Sequence, residues 1–274
     1  MSISILILTK NEEQDLPDCL KSVAWSDDIH VFDSYSTDRT LELAEAAGAK
    51  VTQRKFDGYA SHRNASLKGI TFKNPWVLIL DADERVPPAC AKEMLKAVQD
   101  AKDVVAFRIQ RRDFMWTTWL KHAQISPYYL RLVRPDRVHY EREINEVLIP
   151  EGPTAELTQP FDHYPFSKGI SHWVAKHNSY STMEAQRWLE EQDGNFDFSW
   201  KKALFAKDFS EKRYHQKGLF YRFPGRPLIK WLYMIVVRRA FLDGSAGVTY
   251  ATLQSIYEYF IVLKQKELER AGKA

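Results

Sequence analysis

Asp81-Ala82-Asp83 stands directly behind the apolar run Trp76-Val77-Leu78-Ile79-Leu80. In an extended chain the side-chain period is two, so Asp81 and Asp83 share one side of the backbone and can address one hard cation. Magnesium or manganese favours carboxylate, phosphate and water oxygens and neutralises the charge that builds on a departing phosphate. The pattern points to a nucleotide-diphosphate leaving group. The same carboxylates would also suit a turn or a helix cap, because Glu84-Arg85-Val86-Pro87-Pro88 leads into a helix.

The elements that must hold these residues are legible around them. Apolar, β-rich runs at Ile3–Leu8, Ile29–Phe32, Lys50–Gln53 and Trp76–Leu80 alternate with helical patterns at Leu16–Val23, Thr40–Ala47 and Tyr59–Lys68. This βαβ rhythm predicts an α/β fold with a mainly parallel sheet and helices on both faces. In such sheets ligands collect beyond the carboxyl ends of the strands. Thr9-Lys10-Asn11-Glu12, Asp33-Ser34 and Asp81-Ala82-Asp83 follow three of these strands, so three strand ends point at one site. Asn11, Asp33 and Asp38 also suit ordinary capping.

After Asp103 the pattern changes to strands at Val104–Ile109 and Tyr129–Val133 around the aromatic stretch Phe114-Met115-Trp116-Thr117-Thr118-Trp119. Trp116 and Trp119 either stack on a sugar or, at helical spacing, pack on the sheet. From Ser171 the pattern is helical, with segments at Trp173–Gln192, Leu228–Leu242 and Thr252–Lys266 and joints at Gly225 and Gly244 to Gly247. The expected division is 1–165 for the nucleotide-binding unit and 166–274 for a helical C-terminal extension.

A chain of 274 residues with 45% hydrophobic content buries a substantial core. The net charge of +3 lacks the concentrated basic stripe of a nucleic-acid binder. Cys19 and Cys90 have neither metal-ligand spacing nor a disulfide framework, which fits a reducing, cytoplasmic setting. Ser2 to Leu8 reads as a first strand rather than a signal peptide. The apolar stretch Trp231–Val237 is far shorter than the roughly 20 residues of a spanning helix. It lies among Arg222, Arg226, Lys230, Arg238 and Arg239 and the aromatics Phe220, Tyr221, Phe223 and Tyr233, a composition that suits either an anionic membrane surface or a buried helix with snorkelling ends.

Taken together, Ile3 to Glu12, Asp33-Ser34-Tyr35-Ser36-Thr37-Asp38 and Asp81-Ala82-Asp83-Glu84 resemble family 2 glycosyltransferases over the first 150 residues. Asn178-Ser179-Tyr180 and Phe241-Leu242-Asp243-Gly244 resemble the lipopolysaccharide core β-1,4-glucosyltransferase branch. The resemblance implies a GT-A fold, an inverting mechanism and a UDP-sugar donor. It assigns Thr9, Asn11, Glu12 and Asp33 to the nucleoside pocket, Arg63 to the diphosphate, and Asp81, Ala82 and Asp83 to the donor and its divalent metal. Asp83 is then the main metal ligand, Asp81 touches the ribose or the metal through water, and His163 is a further candidate for the metal shell.

Inverting transfer is a single displacement, so one carboxylate serves as base. Relatives place it in a histidine-glutamate motif, which matches Asn145-Glu146 here, with Asn145 where histidine is usual. Glu146 is the expected base and Glu143 the weaker alternative. The expected activity is hexose transfer, glucose from UDP-glucose foremost, onto a cell-envelope glycolipid such as the lipopolysaccharide inner core, by a protein on the inner face of the membrane. A nucleotidyltransferase would carry a glycine-rich phosphate loop after the first strand, and Thr9-Lys10-Asn11-Glu12-Glu13 has no glycine. A non-catalytic sugar-nucleotide or glycan binding subunit is the rival outside the enzymes, supported by Asn145.

Overall fold

The computed structural model describes residues 2–141, 146–193, 199–201, 215, 220, 223 and 225–271. Glu143 and Asn145, and Tyr221 and Arg222 of the basic-aromatic stretch, lie outside the described residues. The chain divides into two compact units, residues 1–119 with 125–167 and residues 120–124 with 168–274. The expected division at 165/166 omitted the short segment Leu120–Gln124, which groups with the helical unit.

In the first unit, β1 (Ser4–Thr9), α1 (Leu16–Ser22), β2 (Ile29–Asp33), α2 (Thr40–Ala46), β3 (Lys50–Gln53), α3 (Tyr59–Gly69) and β4 (Val77–Asp81) follow the expected alternation. Next come β5 (Glu84–Arg85), α4 (Pro88–Asp100), β6 (Ala106–Met115), β7 (Thr118–Trp119) and β8 (Tyr128–Val133). β9 (Val138–Glu141), β10 (Val147–Pro150), β11 (Thr154–Glu156) and β12 (Phe161–His163) complete the unit. The main sheet runs β3-β2-β1-β4-β8-β6-β12-β5. β1 to β4 are parallel, while β8 is antiparallel to both β4 and β6.

β1 and β4 are apolar on both faces because each face is covered. Ile5, Ile7, Leu78 and Leu80 pack with Leu16, Cys19 and Met94 on one side, and Leu6, Val77 and Ile79 pack with Ala60, Leu67 and Phe32 on the other. α4 starts with Pro88 in its first turn, where the missing N–H costs no hydrogen bond. Trp116 and Trp119 are not on a helix: they belong to the β6–β7 hairpin, in which Phe114 faces Trp119 and Met115 faces Thr118. Trp116 occupies the turn with φ 56° and is 56% exposed.

The second unit contains α5 (Gly169–Asp193), α6 (Arg226–Leu232) and α7 (Gly244–Ala271) among its described residues. The expected continuous helix Leu228–Leu242 is broken. α6 passes into a π-helical turn at Tyr233–Val237, Arg239 adopts a left-handed conformation at φ 57°, and Ala240–Asp243 forms a 3-10 turn. α7 begins at Gly244, earlier than expected, because Gly247 can lie against this turn. A Cβ there would stand 2.0 Å from the Ala240 carbonyl oxygen. Asp243 ties the turn to the short segment by accepting from the His122 and Ala123 amides at 2.8 and 2.7 Å.

Candidate functional site

Thr9 and Asp33 end neighbouring parallel strands in register. Thr9 Oγ1 donates to Asp33 Oδ1 at 2.9 Å, and Asp33 Oδ2 accepts from the Ser36 amide at 2.8 Å and from Gln53 Nε2 at 3.0 Å. Burial would raise the Asp33 acid, but these donors and the Ser36 hydroxyl hold it below the usual carboxylate range. Asp33 is fully buried, so it shapes the loop from beneath. Asn11 stitches the two loops together from a left-handed conformation, φ 55°, that asparagine tolerates. Its Oδ1 accepts from the Thr37 amide at 2.8 Å, and its own amide donates to Ser36 Oγ at 2.8 Å. The Glu12 amide donates to Thr40 Oγ1 at 2.8 Å. The structure thus brings Thr9, Asn11, Glu12 and Asp33 into one braced shell at the ends of β1 and β2.

Next to it, at the end of β4, lies a charged network. Asp81 Oδ1 meets Arg63 Nη2 at 3.0 Å and Oδ2 meets Arg131 Nη2 at 3.0 Å. Arg131 also contacts Glu84 Oε1 at 2.6 Å, and Glu84 Oε2 accepts from the Asp81 amide at 2.9 Å. Arg63 reaches Glu146 Oε1 through Nε at 3.1 Å, so one guanidinium spans the first carboxylate of the strand-end pair and the expected base. α3 positions Arg63, and Asn64 beside it fixes the helix on β9 through the amide and carbonyl of Tyr140 at 2.7 and 2.8 Å. Burial would raise Asp81, but Arg63 and Arg131 pull its carboxyl far below the ordinary range. Burial pushes Glu84 up to about 7 against the pull of Arg131 and His163, with Asp81 and Asp83 adding to the rise.

Asp83 sits in a different setting. Its Oδ2 lies 3.3 Å from His163 Nε2, and its carbonyl accepts from the Tyr164 amide at 2.9 Å. β12 brings His163 there by pairing with β5 and β6, which sets it opposite both Glu84 and Asp113. His163 Nδ1 donates to Asp113 Oδ1, and Arg111 Nε lies 2.9 Å from the same oxygen. Burial would depress His163, but Asp83 and Asp113 carry it up to about 9.

Among the described residues no group of three or more His, Cys, Asp or Glu side chains is arranged to hold a metal by itself. The Asp83–His163 pair nevertheless fits a divalent ion shared with a substrate. Magnesium and manganese accept one carboxylate and an imidazole when phosphate and water oxygens complete the shell. Asp113 on the far ring nitrogen is the partner that fixes a ligating histidine. Asp81, gripped by two guanidiniums, is placed to orient Arg63 and Arg131. The Ala82 side chain is buried in the core, and its carbonyl accepts from Arg85 Nη1 at 2.8 Å.

Three participants had no motif to announce them. Arg131 is a lone cation in the apolar strand Tyr128–Val133, and that mismatch was the available signal. Asp113 follows Arg111-Arg112 and reads as surface charge until β12 pairs with β6. Glu84 reads as the start of a helix, yet it is fully buried in β5.

A family model described as glycosyl transferase family 2 matches residues 4–152. A lipopolysaccharide core biosynthesis glycosyltransferase of Rhizobium meliloti is 26% identical over 200 residues, covering 69% of this chain and 73% of that protein. An uncharacterized glycosyltransferase of Rickettsia bellii is 37% identical over 112 residues, so the chain covers 40% of itself but 34% of that relative. A solved structure of glucosyl-3-phosphoglycerate synthase from Mycobacterium tuberculosis superposes with a TM-score of 0.36 at 22% identity. That match covers 40% of this chain and 44% of the other.

Proposed function

This chain belongs to glycosyl transferase family 2, and from that premise we propose that it moves a hexose, glucose from UDP-glucose in the first instance, onto a cell-envelope glycolipid. The reaction is a single displacement that inverts the anomeric carbon. The observation that carries the reading is the joining of Asp81, Arg63 and Glu146 into one chain of ion pairs at the strand ends, next to the Asp83–His163 pair.

The donor lies over the braced loops after β1 and β2, its diphosphate toward Arg63. Asp83 and His163 would hold a divalent metal, which would supply charge neutralisation for the departing UDP. Arg63 fixes the Glu146 carboxylate, and Glu146 takes the proton from the attacking acceptor hydroxyl. Trp116, exposed at the hairpin tip three residues beyond Asp113, offers a flat face to the acceptor sugar. The name of the Rhizobium relative, which refers to lipopolysaccharide core biosynthesis, supports a lipopolysaccharide core glycolipid as acceptor. Such an acceptor is met at the inner face of the cell membrane, and among the described residues no helix is long and apolar enough to cross it.

The test is transfer from UDP-glucose with manganese to an inner-core glycolipid, with the anomeric configuration of the product read by NMR. Glu146→Gln should keep UDP affinity while transfer falls by about 10²–10⁴. Normal turnover by Glu146→Gln would remove the base assignment, and a product that keeps the donor configuration would remove the single displacement.

A further inference from the structure

A helix on the surface of a water-soluble fold turns its apolar stripe inward and its charges outward. α6 and the π-turn after it do the reverse. Every fourth residue from Arg226, namely Arg226, Lys230, Met234 and Arg238, is buried or half-buried. Arg226 is 2% exposed, with Nε 2.8 Å from Glu258 Oε1 and Nη2 donating to Gln265 Oε1 at 2.8 Å, both carboxylate and amide coming from α7. Burial lowers the Lys230 ammonium from its ordinary value, and Arg238 Nε donates to the His122 carbonyl at 3.0 Å. The residues between form two adjacent outward rows. Leu228, Leu232 and Val236 are 61%, 46% and 63% exposed, and Ile229, Tyr233 and Val237 are 39%, 47% and 67% exposed. Phe241 and Leu242, in the turn that follows, are exposed by 51% and 55%.

We propose that this inverted face is a membrane-docking surface that enters the headgroup region of an anionic bilayer and lies in its plane. Two observations favour lipid over a second copy of the chain. From Gly225 to Leu242 the sequence carries Arg226, Lys230, Arg238 and Arg239 and no Asp or Glu. Arg239 is exposed at the end of the stripe, where its left-handed conformation turns the chain. Of the four basic residues Arg239 is the exposed one, and a two-fold contact would offer it no carboxylate from this stretch, whereas anionic headgroups complement it. Tyr233, apolar in the ring and polar at the tip, suits the interface that the apolar rows enter. The length fits too: about three helical turns rest on a surface and do not span it.

This deepens the glycolipid reading and rests on it for the reason a bilayer is visited, but its test does not require turnover. The full chain is floated with vesicles of phosphatidylethanolamine and phosphatidylglycerol, and in parallel with vesicles of phosphatidylcholine alone. The wild type should float with the anionic vesicles. The double variant Leu232→Gln/Val236→Gln should bind them about tenfold more weakly with an unchanged melting temperature, and Arg239→Gln should reduce binding by a smaller factor. Equal flotation of wild type and double variant would overturn the proposal. So would wild type that stays unbound and sediments as a dimer which the double variant dissolves, since that assigns the face to self-association. Transfer to a delipidated core oligosaccharide separates the two readings. A double variant that keeps this activity while losing flotation supports the docking face, and flotation by a protein with no transfer would count against the proposed function alone.

Discussion

The two units bury an arginine in the same way and expose opposite chemistry around it. Arg131 in the strand unit and Arg226 in the helical unit are each 10% exposed or less and each is paired with a glutamate, Glu84 and Glu258 respectively. Around Arg131 the surface is polar: Asp81, Arg63 and Glu146 retain partial exposure and are joined by ion pairs, and Asp83, likewise part-exposed, pairs with His163. Around Arg226 the surface is apolar, with Leu228, Val236 and Val237 each more than 60% exposed. A buried ion pair is weak evidence of stability in itself, because the desolvation of both charges opposes their attraction. What differs is the chemistry each surface presents, charged and polar in the first and apolar in the second.

Arg131→Met breaks this comparison most severely. It leaves Glu84 buried without its cation and removes one of the two guanidiniums on Asp81, which should cost about 3–5 kcal/mol of folding stability. Urea denaturation measures this. If the loss is below about 1 kcal/mol, the network is not the structural centre of the strand unit. The double variant Arg131→Met/Glu84→Gln should recover much of the loss, because no buried charge is then left unpaired.

Asp113→Asn probes the same site more locally. The amide cannot accept from His163 as a carboxylate does, so manganese affinity in the presence of UDP should fall about 10–100-fold. Electron paramagnetic resonance of free manganese reads this directly, without turnover. An unchanged affinity would mean that His163 is positioned by its strand alone.

Proton linkage gives the smallest effect. His163 is carried up to about 9, above its ordinary 6.5, so the imidazole is protonated at neutral pH. In the metal-free protein its contribution to stability is therefore complete below about 6.5 and lost as pH rises through about 9. A metal bound at the nitrogen facing Asp83 displaces that proton, so manganese affinity should strengthen by up to about tenfold per pH unit toward 9. A flat profile between pH 7 and 9 would exclude His163 from the shell.

The order of strands and helices in the first hundred residues was legible because each parallel strand is covered on both faces and so reads as an unbroken apolar run. The grouping of Thr9, Asn11, Asp33 and Asp81 was legible for the same reason, since their place at strand ends follows from the runs before them. Asp113 and Arg131 were not, because each acquires its role from a partner about 50 residues away, and sequence spacing carries no record of strand pairing. Trp116 and Trp119 looked helical at a spacing of three, yet a tight hairpin after the strand Ala106–Met115 produces the same spacing. The stretch Leu228–Leu242 showed its composition but not its facing. The facing follows from tertiary contacts: Arg226 turns inward to Glu258 and Gln265 of α7, which leaves the apolar rows outward.

We propose that Asp83 and its neighbours make a metal-dependent nucleotide-sugar site. UDP release from a panel of nucleotide sugars, with manganese, magnesium or chelator, for wild type and Asp83→Ala side by side, tests it most directly. Metal-dependent release from a UDP-hexose should fall by about 10³-fold or more in Asp83→Ala, while the melting temperature stays near that of wild type. Release that persists undiminished in chelator, or in Asp83→Ala, would contradict it.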